Sequence, residues 1–440
     1  MSSERGREMG LLQASTITFA SRVAVFILSL VAGVILARAL GPTGRGVYAL
    51  ALLVPSVLVL LANLGVGNAL IYYLARRTYD IEKMIGQLIS LALLLGVSAT
   101  IVLVAFTALF GRVALPGVPL NLVLIAGAAI PLGLFFYFCL SFTQGMQAFV
   151  AFNSLYLVNA GALVVFLLGL LVVPGSVTIA VAAWSLSWVP TALLGIFWLS
   201  RWGRLNIRFD RRLSRSLLRF GIVGYLAFIT NYLNFRLDTF LVNIFKNATQ
   251  VGYYAVAVSL AETIWYVSTS AATVLAPRVA AGEKQESDDT TARVSRTVFV
   301  VSLAAAVVLG LTAPLIIRIL FGAGFAPSVA AVWLLLPGVV TLSVARVLSS
   351  YLLGRNRQQV DLVASLAGLV VTLALDLVLI PRYGFPGAAA ASSVAYTATL
   401  AVNLTWVIRH STLSARDLLV PRRSDFLSVL SLWPRSARPR

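Results

Sequence analysis

The stretch ARALGPTGRGVYALALLV (residues 37–54) decides how the whole chain is read. Three glycines, one proline and two arginines interrupt an otherwise apolar run. Two readings compete: a loop that cradles phosphate, or a tight bend between two helices. A phosphate loop of the Walker type needs Lys followed by Ser or Thr after its glycines, and it follows a strand. GPTGRGVY has neither feature. Glycine supplies unusual backbone angles and proline stops a helix, which is what a short connection between antiparallel helices requires. The stretch reads as a bend, and the nucleotide-driven class falls away with the phosphate loop.

Outward from the bend, both flanks are apolar and long. Of 440 residues, 60% are hydrophobic and 11% charged, and the mean hydropathy is +0.94. No soluble domain covers so much apolar surface with so little charge. Runs of about 20 apolar residues, the length that crosses a hydrocarbon core of about 30 Å, recur along the chain. Twelve spans are expected, at 11–38, 46–74, 84–110, 119–142, 149–173, 177–200, 217–245, 252–277, 297–320, 327–353, 359–380 and 386–409. The fold class is therefore an all-α polytopic membrane protein. The first apolar run is too long for a secretory signal and reads as a retained helix.

The net charge of +19 is a topology signal. Of the 34 Lys and Arg, counting those at span ends with the adjoining loop, 25 fall on the N-terminal side, 6 on the opposite side and 3 deep inside spans (Arg22, Arg236, Arg346). Cationic loops stay in the cytoplasm, so both termini are expected there, in a cell inner (plasma) membrane. No nucleic-acid partner is expected. One cysteine, Cys139, and one histidine, His410, leave no disulfide framework, no metal site and no cofactor to propose.

The bend has an echo. GRGVYALALLV (44–54) resembles TQVGYYAVAVSL (249–260), after spans one and seven. TQGMQAF (143–149) pairs with LLGRNRQQ (352–359), after spans four and ten, and PGSVTIAVAAW (174–184) with YGFPGAAAASS (383–393), before spans six and twelve. Three echoes in register describe two six-helix lobes in parallel repeat around a central cavity, as in transporters whose lobes rock about a midplane site. The expected domains are an N-terminal lobe at 1–200, a basic amphipathic linker at 201–216, a C-terminal lobe at 217–410 and a basic tail at 411–440. In the linker region, Phe209, Leu213, Leu217 and Phe220 form one stripe against five arginines, the pattern of a helix on an anionic leaflet.

These residues also carry a family resemblance. ARALGPTGRGVYAL is similar to the first-hairpin signature of polysaccharide and O-antigen (Wzx-type) flippases, in the multidrug/oligosaccharidyl-lipid/polysaccharide exporter superfamily. The stretch 236–280 resembles that family's seventh and eighth helices, and LDLVLIPRYGFPGAAAASS (375–393) its eleventh-to-twelfth connection, where an Asn usually stands at the position of Asp376. The resemblance runs from about residue 10 to 410. It implies translocation of undecaprenyl-diphosphate-linked oligosaccharides from the inner to the outer leaflet, and not their synthesis.

Ionisable groups at membrane depth cost a few kcal/mol each and by default face a cavity or a partner. Arg22 lies about 16 Å into the first span and Glu262 about 15 Å into the eighth, counted at 1.5 Å per residue. Arg22, with Arg346 and Arg236, is the candidate for binding a lipid diphosphate, against a structural ion pair locking two helices. Glu262 is the candidate for ion coupling or for answering Arg22. Asn231, Asn234 and Asp238 fall on one face of the seventh span and line a pathway or join helices. Arg236 points away from Asp238 on a continuous helix and can snorkel outward. Asp376, beside Arg382 near the outer end of its span, reads as half of an interfacial ion pair. Asn153, Asn159, Gln144 and Gln147 suit either sugar hydrogen bonds or helix packing.

The leading reading is a flippase for a polyprenyl-diphosphate-linked oligosaccharide, working by alternating access in cell-surface polysaccharide synthesis. The alternative is an exporter of small amphipathic or cationic molecules, for which an acid-dominated cavity would be wanted. A membrane enzyme is disfavoured, since the outer loops are short and no Asp-x-Asp motif exists. Expected partners are the lipid-linked substrate, membrane lipids, a coupling proton or sodium ion and polysaccharide-assembly enzymes. One chain holds both lobes, so a functional monomer is expected.

Overall fold

The structure, a computed structural model, describes residues 11–281, 283–420 and 422; the side chains of 11–16, 19, 171, 222–224, 226–228, 231, 274, 277 and 281 lie outside that description. The basic tail expected beyond Val420 therefore lies outside the described residues, apart from Arg422. The first half holds α1 (Leu11–Asn63), α2 (Val66–Ala75), α3 (Ile81–Ala114), α4 (Leu120–Gly127), α5 (Ile130–Gly145), α6 (Phe149–Leu167) and α7 (Val177–Ser200). The second continues with α8 (Arg211–Asn234), α9 (Leu237–Phe245), α10 (Ala248–Ala261), α11 (Trp265–Ala281) and α12 (Lys284–Ile316). It ends with α13 (Ser328–Gly354), α14 (Gln358–Tyr383), α15 (Phe385–His410) and the short α16 (Ala415–Leu419). Among the described residues there are only helices and connections.

Among the described residues, nine helical stretches are long and apolar enough to cross a membrane on their own. The count is lower than the expected twelve for local reasons. Spans one and two run on as α1, which is broken at Gly41 (φ 66°, ψ −179°), the residue before Pro42. The stretch quoted above is thus a break between two helices. Spans seven and eight are each divided near their midpoints, as α8/α9 and α10/α11. All twelve expected apolar stretches are helical, and the chain is a polytopic membrane protein.

Two compact units emerge: Met1–Ile229 with Asn247–Gly252, and Thr230–Lys246 with Tyr253–Arg440. The core of the first collects Leu70, Met84, Leu88, Phe138, Phe142 and Leu155, and it also takes in Leu213 and Leu217 of α8. Half of the stripe expected to lie on a leaflet is therefore packed inside protein, and Gln87 binds the same segment by donating to Ser214 Oγ at 2.7 Å. Phe209 and Phe220 remain exposed. Asp210 caps the start of α8, accepting from the backbone N–H groups of Arg212 and Leu213. The Leu213 bond first of all holds its carboxyl below the usual range. In the second unit, α13 and α15 pack closely enough that a Cβ on Gly338 would lie 2.4 Å from Ser393 Cα.

The sequence echoes correspond to repeated backbone geometry. After α5, Gln147 adopts φ 55°; after α13, Asn356 adopts φ 56°. Ala148 N–H bonds to Thr143 O and Gln147 N–H to Gln144 O, while Arg357 N–H bonds to Leu352 O and Asn356 N–H to Leu353 O. Both are Schellman turns, in which one left-handed residue lets two orphan carbonyls of the last helical turn be satisfied. The third echo aligns Gly175 (φ 80°) with Gly384 (φ 69°), each just before a helix starts. The first echo is a physical contact within unit 1. A Cβ on Gly46 would sit 1.6 Å from Ala248 O, and one on Gly252 would sit 1.9 Å from Pro42 O. Each glycine thus meets the carbonyl four residues before the other, and Thr43 and Thr249 bond hydroxyl to hydroxyl between them at 2.8 Å.

Candidate functional site

The second unit gathers most of the chain's intramembrane charge where its helices are broken. Phe235 and Arg236 separate α8 from α9, and their N–H groups bond back to Tyr232 and Leu233 in tighter i→i+3 fashion. Glu262–Ile264 form a single 3-10 turn between α10 and α11. Neither break contains proline or glycine. Discontinuous helices at membrane depth expose backbone groups that ions and anionic substrates use, and they are tolerated where the backbone is buried in protein or lines a cavity.

Asp238 stands in the first turn of α9, where the helix dipole favours a carboxylate. It is buried, and its oxygens accept from the Tyr254 hydroxyl, from Ser392 Oγ at 3.2 Å and from Thr239 N–H at 2.6 Å. Asn234, at the end of α8, is also buried and accepts from Thr372 Oγ1 at 2.6 Å. Asp376 lies within electrostatic reach of Asp238. It is fully buried, and neither of its carboxylate oxygens has a hydrogen-bond partner. This corrects the interfacial pair expected with Arg382. Asp376 is inside the protein, whereas Arg382 is exposed at the end of α14. A buried carboxylate left without partners costs several kcal/mol, so a group of this kind points to a ligand or a proton.

Beside this acidic group lies a cationic one. Arg346 is half-buried on α13, donates to Thr269 Oγ1 at 3.0 Å and stacks over the Trp265 ring at 4.3 Å. Arg236 is half-buried at the α8/α9 break, 5.8 Å from the centroid of the Tyr232 ring. Both guanidinium groups lie within electrostatic reach of Glu262. Outward snorkelling was one arrangement open to Arg236; in the structure the group is half-buried, within electrostatic reach of Glu262 and Asp238. Phe235, Trp265 and Tyr396 close this region, with ring centroids 5.3–5.8 Å apart. Two arginines against Glu262 sum to a net positive charge, with Asp238 also within electrostatic reach of Arg236 and Glu262 and Asp376 within reach of Asp238.

The remaining expected residues fall as follows. Arg22 is exposed on α1 in the first unit, within electrostatic reach of Tyr156 on α6. The Asn231 side chain lies outside the described residues. Asn153 donates to Phe149 O at 2.7 Å and to Thr18 Oγ1 at 3.1 Å, and Asn159 to Thr191 Oγ1 at 3.3 Å. Both amides hold helices together. Sequence reading missed Tyr254, Ser392, Thr269, Trp265 and Tyr396, because a single hydroxyl or indole in an apolar span carries no pattern of its own. Among the described residues, no three His, Cys, Asp or Glu side chains gather as a metal site.

A family model described as "Polysaccharide biosynthesis protein" matches residues 11–283. No curated protein sequence matches the chain. Among solved structures, "Lipid II flippase MurJ, inward closed conformation" is similar over 98% of this chain and 94% of its own, at 14% identity and a TM-score of 0.79. An "inward-facing conformation of a multidrug resistance MATE family transporter of the MOP superfamily" is similar over 94% and 96%, at 16% identity and a TM-score of 0.74. A MOP superfamily transporter from Pyrococcus furiosus, described as having reversed polarity in its binding pocket, is similar over 90% and 94%, at 16% identity and 0.65. At these identities the likeness is one of fold, and the shared fold is that of membrane flippases and exporters.

Proposed function

Because this chain belongs to the polysaccharide biosynthesis protein family, we propose that it is a flippase. Its cargo in this reading is a polyprenyl-diphosphate-linked oligosaccharide, moved from the inner to the outer leaflet by alternating access. The observation that carries the reading is the pair of half-buried arginines, Arg236 and Arg346, both within electrostatic reach of the single carboxylate Glu262 and near the α8/α9 and α10/α11 junctions. Guanidinium groups bind phosphate oxygens in fork geometry, and in a low-dielectric site they favour an anionic cargo over a neutral one. Arg22 supplies a further cation in the first unit. Glu262 offsets one of the two arginine charges when no diphosphate is present.

The coupling step in this proposal belongs to Asp238 and Asp376, with Asn234 beside them. Asp376, buried without a partner, takes up a proton or a sodium ion, and Asp238 shares the charge through its electrostatic contact with Asp376. The same acids favour the second reading, export of small amphipathic or cationic molecules. The arginines then have only a structural role. The protein acts in this proposal as a monomer in the inner (plasma) membrane, with both termini cytoplasmic and polysaccharide-assembly enzymes as neighbours.

The test is the leaflet distribution of lipid-linked oligosaccharide in cells lacking the gene. The proposal expects accumulation on the inner leaflet, reversed by the wild-type gene and not by Arg346→Ala or Arg22→Ala. Losing one charge-assisted contact of about 2–3 kcal/mol lowers transport roughly 30- to 150-fold. An unchanged lipid-linked pool would move the assignment to the small-molecule exporter.

A further inference from the structure

Away from the broken helices, the second unit carries a polar cavity of about 370 Å³ between the hydrophilic start of α12 and the segment around α16. Arg293, Arg296 and Arg422 line it together with Asp289, Asp417 and Thr412. Its walls are held from behind. Asp288, fully buried, accepts from the Tyr351 hydroxyl at 2.7 Å and from Thr412 N–H and Oγ1, each at 3.2 Å. Arg296, 5% exposed, donates to Asp417 O at 2.6 Å. Leu418 is fully buried, and a capping box joins Ser414 to Asp417. The cavity is therefore a built feature, with Arg296 and Arg422 already held by Asp417 before any ligand arrives.

Two of its charged groups are uncommitted. Arg293 and Asp289 are exposed, four residues apart on one face of α12, and neither side chain has a hydrogen bond or ion pair among the described residues. Arg422 and Asp417, by contrast, are already paired with each other. The depth of the site follows from the helix. Arg296 precedes the apolar stretch 297–320, and Asp289 lies about 10 Å further out at 1.5 Å per residue. The headgroup layer of a leaflet occupies roughly the first 5–8 Å beyond the hydrocarbon. The cavity therefore straddles the headgroup layer on the cation-rich side of the membrane.

We infer that this cavity binds a phosphate ester, and that its ligand is the headgroup of a phospholipid in the leaflet on that side. Phosphate oxygens lie against Arg293 and Arg296. A headgroup that also bears a primary ammonium places it on Asp289, so zwitterionic phosphatidylethanolamine fits better than phosphatidylcholine, whose quaternary nitrogen cannot donate. The inference rests on α12 spanning the membrane and not on what the protein transports.

Native mass spectrometry of the full chain, equilibrated with phosphatidylethanolamine, phosphatidylglycerol or phosphatidylcholine of matched tails, tests it. Wild type should retain phosphatidylethanolamine best. Arg293→Glu should lower that bound fraction by about tenfold or more, the loss expected for one hydrogen bond to a charged group. Arg293→Lys should keep most of it, and Asp289→Asn should weaken phosphatidylethanolamine while sparing phosphatidylglycerol. Arg357→Glu, an equal charge change at an exposed site outside the cavity, should do nothing. Equal losses in Arg293→Glu and Arg357→Glu, or no loss in either, would overturn the site as nonspecific charge. A second arm measures thermal stability in lipid-free detergent with sodium phosphate against sodium chloride. An Arg293-dependent stabilisation by inorganic phosphate, without lipid selectivity, would assign the cavity to a soluble phosphate and overturn the lipid ligand.

Discussion

Tyr48 and Tyr254 occupy the same register in the two echoing segments, two residues after Gly46 and Gly252. Both are buried, yet they do different chemistry. Tyr48 lies beneath the guanidinium of Arg45, 5.3 Å from its ring. Tyr254 gives its hydroxyl to Asp238 and shares that carboxylate with Ser392. The pattern extends beyond this pair. Turn geometry is repeated between the halves down to the left-handed residues Gln147 and Asn356, while the buried carboxylates Asp238 and Asp376 have no acidic counterpart among the described buried residues of the first unit. Backbone constraints can be copied freely because any sequence with the right turn residue satisfies them. A buried charge cannot, since each copy carries the desolvation cost again. The repeat therefore keeps its frame and concentrates its ionisable chemistry in the second unit.

The contact between the first pair of echoes is where the comparison breaks most violently. Gly46→Ala would place a Cβ 1.6 Å from a backbone carbonyl oxygen, which no rotamer change relieves. The expected cost exceeds about 4 kcal/mol, enough to remove folded protein from detergent extracts. Gly33→Ala, with nothing within 4 Å of its Cβ, should stay within about 0.5 kcal/mol of wild type. Fluorescence-detected size exclusion compares the two; equal monomer peaks would mean that the echoes do not meet as described.

The two buried aspartates should respond in opposite directions. Asp238→Leu strands the Tyr254 and Ser392 hydroxyls, for an expected loss of about 2–4 kcal/mol. Asp376→Leu removes a buried carboxylate with no partner and should raise stability by about 1–3 kcal/mol. Under the proposed function, that more stable variant loses its dependence on the coupling cation. Thermal melts of both variants, read beside transport at several sodium concentrations and pH values, give the answer. Destabilisation by Asp376→Leu would show that this carboxylate has a structural partner after all.

Much of this architecture was legible in the residues, and for definable reasons. Membrane crossing needs long apolar runs, so the twelve stretches stand out. Gly41–Pro42 marks a helix break by its residue types, and the break is there. The breaks at Phe235–Arg236 and Glu262–Ile264 carry no such mark, since they contain neither proline nor glycine. A continuous helix is the natural expectation there, and on it the angular separation of Arg236 from Asp238 leaves open which way Arg236 faces. Asp376 was misjudged for a related reason: sequence gives depth along a helix but not which neighbour covers the side chain. The same blindness hid Tyr254 and Trp265, whose roles depend on partners 16 and 81 positions away, at Asp238 and Arg346. In the linker, the amphipathic stripe was correctly seen, but its pattern does not distinguish a protein core from a leaflet as the surface that receives Leu213 and Leu217.

The smallest effect is the sharpest test of the repeat. A non-glycine residue in the left-handed region costs about 1 kcal/mol, less for asparagine, whose side chain tolerates it. Gln147→Gly and Asn356→Gly should therefore both stabilise, the first by about 1 kcal/mol and the second by about half that. Each turn closes by the same pair of hydrogen bonds, so the difference should come from the residue replaced and not from its surroundings. Exchanging them isolates that term. Gln147→Asn should recover roughly half of the Gln147→Gly gain, and Asn356→Gln should lose a similar amount. Melting temperatures of the four variants decide it. Matching shifts of opposite sign in the exchanged pair would establish that the two turns are energetically the same object, whereas a stabilisation confined to one would mean that the backbone repeat has already diverged beneath its shared geometry.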